Sequence, residues 1–100
     1  MTTAYFSFER TGPVVLFTIH SISPTPVHID ELLAAYDLAL SGEKSVTILD
    51  LRQAKMLSAE ARIKIGNWMK VHQARVKERT YGLCYVVPSL LIEMTLRGIF

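Results

Sequence analysis

Three histidines, a single cysteine, one possible carboxylate pair and a run of cations are the side chains that could do chemistry, and spacing limits each of them. His20, His28 and His72 fall on a strand end, a helix start and a helix interior, and no two stand at metal-ligand spacing. Their pattern points to structural roles and to no metal. Cys84 lies between Leu83 and Tyr85 in an apolar run, where a thiol behaves as a small hydrophobe. No adjacent basic cluster would lower its pKa. Asp50 and Glu60 could meet at a strand-to-helix turn, but a carboxylate in the first turn of a helix is accounted for by the helix dipole. The five glycines are scattered, so no phosphate-cradling loop exists. These residues offer no catalytic constellation and no cofactor site.

The cations are concentrated. Net charge is +2 overall, yet residues 1–51 set Arg10 and Lys44 against six carboxylates, a balance of −4. Residues 52–79 carry eight cations against Glu60 and Glu78, a balance of +6. Such a segment could contact phosphates. It lacks interleaved exposed aromatics, and Trp68 falls on the apolar stripe of its helix, so it reads as a solvated face balanced by the acidic first half. Direct nucleic-acid binding is not expected.

The elements that position these residues follow from periodicity. Tyr5 to Arg10 alternates, Thr11-Gly12-Pro13 breaks the pattern, and Val14 to Ile19 is β-branched and aromatic, which predicts an antiparallel hairpin. The prolines of Ser21 to Pro26 predict a loop. From His28, Ile29, Leu32, Leu33, Tyr36 and Leu40 recur at helical steps, with Asp30 and Glu31 expected in the first turn and Ser41-Gly42 ending the helix. Ser45 to Leu51 predicts a strand in the centre of the sheet. Ser58 is a plausible N-cap for a second helix whose stripe runs Ala61, Ile65, Trp68, Met69, His72 and Val76. Tyr81 to Val87 predicts another buried strand, and Leu90 to Leu96 a third helix closed by Gly98. The expected class is α/β, with a mixed, mostly parallel sheet in the order β-β-α-β-α-β-α.

One hundred residues, half of them hydrophobic, are enough for a single domain spanning 1–100 with one core. No apolar stretch approaches the roughly 20 residues of a membrane span. The first residues lack a secretory pattern and a lone cysteine cannot form an internal disulfide, which together imply a cytoplasmic protein.

At this point the order of elements and two segments resemble the STAS domain of bacterial anti-sigma-factor antagonists and of some anion-transporter tails. Ile48-Leu49-Asp50-Leu51 with Gln53 is similar to that family's central strand. Leu83-Cys84-Tyr85-Val86-Val87-Pro88, followed by Leu96-Arg97-Gly98-Ile99-Phe100, is similar to its fourth strand and third helix. The resemblance implies a non-catalytic regulatory domain in bacterial signalling. Its second helix would dock near its N-terminus onto a protein partner, a regulatory kinase or sigma-factor regulator, and often carries a phosphorylatable Ser or Thr. Counted without gaps, the family's Asp-Ser-Ser-Gly stretch falls on Ser58-Ala59-Glu60-Ala61, which puts Glu60 at the phosphoacceptor position. Ser58 could accept a phosphate only with a two-residue shift, and capping is its expected role.

The expected partner surface is therefore Asp50, Lys55, Met56, Leu57, Ser58, Glu60, Arg62 and Ile63, where charge surrounds apolar anchors. The family continues with one more strand and a covering helix, so apolar surface near Leu91, Ile92, Leu96 and Ile99 is expected to support a symmetric homodimer. A lipid or small-molecule carrier of related α/β layout is the alternative, and it would need an apolar cavity between sheet and helices.

Overall fold

The computed structural model describes residues 1–87. The helix expected at Leu90–Leu96 and the apolar surface expected to drive dimerisation lie outside the described residues.

Two strands, β1 (Phe6–Thr11) and β2 (Val14–Ile19), open the fold as an antiparallel pair in which Thr11 faces Val14, leaving Gly12-Pro13 as a two-residue turn. Gly12 has φ +56°. Proline's fixed negative φ excludes a type I′ turn, so glycine followed by proline selects the II′ form, whose twist suits a hairpin.

Helix α1 (Pro26–Leu40) begins two residues before the expected start. Proline at the first helical position forfeits a donor that has no partner there in any case. Thr25 caps the helix: its Oγ1 accepts from the His28 N–H at 3.3 Å, and the Thr25 N–H donates to His28 Nδ1 at 3.0 Å. Asp30 and Glu31 consequently fall beyond the first turn. The buried residues Ile29, Leu33, Tyr36 and Leu40 form the stripe that faces the sheet.

Strand β3 (Ser45–Asp50) runs parallel to β2 and to β4 (Thr80–Val86), so the sheet order is β1-β2-β3-β4 and β3 is an interior strand, as its composition indicated. The strands β2, β3 and β4 succeed one another in one direction across the sheet. Crossovers of a single hand then place both connecting helices on the same face. That face carries the core, with Phe6, Val15, Phe17, Ile19 and Thr47 all fully buried. Phe17 contacts Phe8 at 5.0 Å and meets Tyr36 of α1 edge-on at 6.1 Å. Alternate residues point the other way: Val14, Leu16, Val46 and Ile48 are half-buried, and Cys84 and Val86 are exposed. β4 is thus not the buried strand its composition suggested. Its Leu83 and Tyr85 face the helices, while Cys84, expected to be a buried hydrophobe, is on the open side.

The second expected helix is two. α2 (Ala59–Val71) and α3 (Gln73–Arg79) part at His72, which has φ −101° and ψ 12°. The Trp68 carbonyl accepts from both the His72 N–H (3.0 Å) and its Nδ1 (2.8 Å), and the imidazole stacks on the indole at 4.1 Å. A side chain bonded to its own helix's carbonyl competes with regular helix geometry and turns the chain there. The turn brings α3 to the end of α1. Arg75 pairs with Asp37, while Arg79 donates to the carbonyls of Leu40 (Nε, 3.0 Å) and Gly42.

Candidate functional site

The surface around the end of β3 is built from a strand end, a loop and a helix start. Asp50 closes β3, and Leu51, buried, anchors the chain as it leaves the sheet. The loop from Arg52 to Leu57 then crosses to Ser58. Ser58 caps α2 as expected, its Oγ accepting from the Ala61 N–H at 3.1 Å, and Glu60 stands in the first turn, where the dipole favours an anion.

Of the eight residues expected to bind a partner, seven divide into three groups. Lys55, Met56 and Leu57 line a cavity beneath the loop. Ser58 and Glu60 turn toward a separate hollow that they share with Thr25 and Pro26 at the entry to α1. Arg62 and Ile63 face solvent on α2. Asp50 belongs to none of these groups, because Arg52 has claimed its carboxylate. The Arg52 guanidinium holds the Asp50 carboxyl below the usual carboxylate range through two side-chain hydrogen bonds, supported by the Arg52 backbone N–H.

The cation-rich segment is partly neutralised by the acidic half of the chain. Arg52 pairs with Asp50, Lys64 with Asp30 at 2.7 Å, and Arg75 with Asp37, and Arg79 is spent on backbone carbonyls. Among the described residues no ion pair engages Lys55, Arg62, Lys70 or Lys77. Two of these, Lys55 and Arg62, belong to the expected partner surface.

The cavity, of about 100 Å³, lies between the sheet and the helices. Phe17, Leu49 and Leu83 form its floor, Leu32 and Leu33 of α1 one wall, and Ile65 and Met69 of α2 another. Met56 is 52 % exposed, so the wall reaches solvent at the loop. Its polar lining is sparse, with Tyr36 and Thr47 as the notable members. Sequence periodicity marked Tyr36 only as a core position. It could not show that Tyr36 and Thr47, eleven residues apart on a helix and a strand, would place two hydroxyls in one apolar space.

The histidines have local partners. His28 serves the α1 cap and stacks on Tyr5 at 5.9 Å. His20 bonds the Ser7 hydroxyl (2.9 Å), and its Nδ1 donates to the Ala4 carbonyl (3.3 Å). His72 is held on Trp68. Among the described residues no group of three His, Cys, Asp or Glu side chains could hold a metal ion, and no helix is long and apolar enough to cross a membrane. No protein-family model matches the chain, and no curated protein matches it.

Proposed function

We propose that this protein is a non-catalytic regulatory domain of STAS type that works by binding a protein partner through the β3–α2 loop and the first turns of α2. One observation carries the reading: Met56 and Ile63 are 52 % and 63 % exposed on this stretch, beside Lys55 and Arg62, whose charges no described carboxylate pairs. Apolar anchors within a charged rim are the composition of a recognition surface. Unpaired cations favour a partner with an acidic face and raise the rate of encounter with it. By the same resemblance the partner class is a regulatory kinase or a sigma-factor regulator. With Glu60 at the phosphoacceptor position, the charge at that point is fixed at about −1 and is not switched.

Affinity capture compared between the wild-type chain and the Lys55→Glu/Arg62→Glu double variant tests the surface, with Lys77→Glu on α3 as the control. The reading requires a captured protein whose recovery falls with the double variant and survives the control. Equal recovery across all three chains would reject the site.

A further inference from the structure

We infer that the cavity beneath the β3–α2 loop is a binding site for a small, neutral, largely apolar molecule bearing a single hydroxyl or similar hydrogen-bonding group, which the Tyr36 and Thr47 hydroxyls anchor. The site shares Lys55, Met56 and Leu57 with the partner surface, but the proposal does not depend on that reading.

Three observations support it. The first is size: an apolar cavity of about 150 Å³ admits benzene, and the space here is about 100 Å³ with one wall formed by an exposed loop residue, Met56. A ring of six or seven heavy atoms is the matching scale. The second is chemistry, because aliphatic and aromatic side chains dominate the described lining, and the one ionic group among them, Lys55, is on the loop at the mouth. A charge carried inward would find no counter-charge there.

The third is a pair of buried hydroxyls. Tyr36 and Thr47 are 8 % and 1 % exposed, their hydroxyls stand within reach of each other, and among the described residues neither has a further hydrogen-bond partner. Buried polar groups are ordinarily paired, since leaving one without a partner forfeits the hydrogen bonds it had in water. Two such hydroxyls lining one apolar space leave it hydrogen-bonding capacity even where they face each other, since each can donate once and accept twice. Burial raises the Tyr36 pKa, with Thr47 close enough to temper the rise, so the phenol stays protonated and can both donate and accept. A ligand hydroxyl could accept from one of the pair and donate to the other. The arrangement resembles small-molecule sites in general, where a few placed polar groups orient a ligand inside an apolar wall.

Phenol and benzene, alike in ring and differing by one hydroxyl, are the probes, with octanoate as a third arm. Binding is followed on the full chain by the methyl resonances of Leu32, Leu33, Leu49 and Met69. Phenol should shift these methyls and bind roughly 5- to 10-fold more tightly than benzene, the range expected for about one hydrogen bond. Tyr36→Phe and Thr47→Val should each bring phenol toward the affinity of benzene while leaving benzene itself unchanged, which shows that the cavity persists in the variants. The inference is overturned if phenol and benzene bind equally, or if neither shifts these methyls at millimolar concentration. It is also overturned if octanoate binds best in a manner lost with Lys55→Ala and indifferent to Tyr36 and Thr47, which would mark an anionic amphiphile held at the mouth.

Discussion

Arg52 folds back over two residues onto Asp50: its backbone N–H and its Nε both donate to Oδ1, at 3.1 and 3.0 Å, and Nη2 donates to Oδ2 at 2.8 Å. The pair fixes the direction in which the chain leaves β3, and so the start of the loop over the cavity. Because Asp50 is depressed in the folded protein, the folded state holds fewer protons than the unfolded one as pH falls toward the carboxylate range. Its contribution is therefore complete above the ordinary aspartate value of about 3.9 and is lost as pH drops through the lower folded value. The Arg52 side of the pair is 66 % exposed, so water screens it and the effect on stability is small. A carboxyl-detected titration should give Asp50 a midpoint below that of free aspartate, and Arg52→Ala should return it toward the ordinary value. An unchanged midpoint in the variant would show that Arg52 is not the cause.

Ser58 makes a second prediction. Its Oγ satisfies the Ala61 N–H, one of the donors left open at every helix start, so Ser58→Ala should destabilise the protein by about 1 kcal/mol and Ser58→Asn by much less. A hydroxyl committed to a cap, beside Glu60 at the position where the STAS family, which the sequence resembles, is modified, is a poor phosphate acceptor. Incubation with a regulatory kinase should leave the intact mass unchanged, and one added phosphate mapped to Ser58 would refute this.

The elements whose pattern is local were legible. The hairpin, the stripe Ile29, Leu33, Tyr36, Leu40, and the placing of β3 inside the sheet all follow from which residues recur at which step, and the structure agrees. The departures come from side chains acting on backbone. Nothing in periodicity shows that the His72 imidazole would take the Trp68 carbonyl and end a helix whose apolar stripe continues to Val76. Thr25 and His28 start α1 early by a reciprocal cap in which histidine takes the place usually held by Glu or Gln. β4 read as buried because Leu83 to Val87 is apolar throughout, but whether both of its faces are covered is a property of topology that no local window contains. The expected partner residues are neighbours in sequence without forming one surface. The structure divides them between a cavity mouth, a hollow at two helix starts and an open helix face.

Arg79 joins α3 to the end of α1 and yields a third prediction. Its Nε donates to the Leu40 carbonyl at 3.0 Å, and its Nη2 to that of Gly42, at the helix end where unpaired carbonyls carry partial negative charge. Arg79→Ala removes both donors at once and should cost about 1–3 kcal/mol, the range for hydrogen bonds to a charged group. Arg79→Lys keeps the charge but loses the two-pronged geometry, and should recover only part. Equal stability of the wild type and Arg79→Ala in urea would show that the contacts are incidental.

The tyrosines set the alkaline limit of the fold. Burial pushes Tyr5 up to about 12 from its ordinary 10.0, and it raises Tyr36 and Tyr85 as well, with the neighbouring Tyr36 adding to the effect on Tyr85. Between these values the unfolded chain has released the Tyr5 proton and the folded chain still holds it. Stability therefore falls as pH rises through this window, and the contribution is complete below about pH 10. A two-unit difference at one group corresponds to on the order of 3 kcal/mol, and the other two tyrosines act with the same sign. Urea unfolding measured from pH 8 to 11.5 should show a progressive loss that begins near 10, accompanied by phenolate absorbance that appears mainly on unfolding. In Tyr5→Phe the ring stays in the core with nothing to ionise. Its stability should decline less steeply over the same window, by close to one proton in the slope. A variant with the wild-type slope would mean that Tyr5 does not couple its proton to folding, and the alkaline loss would then have to come from Tyr36 and Tyr85 alone.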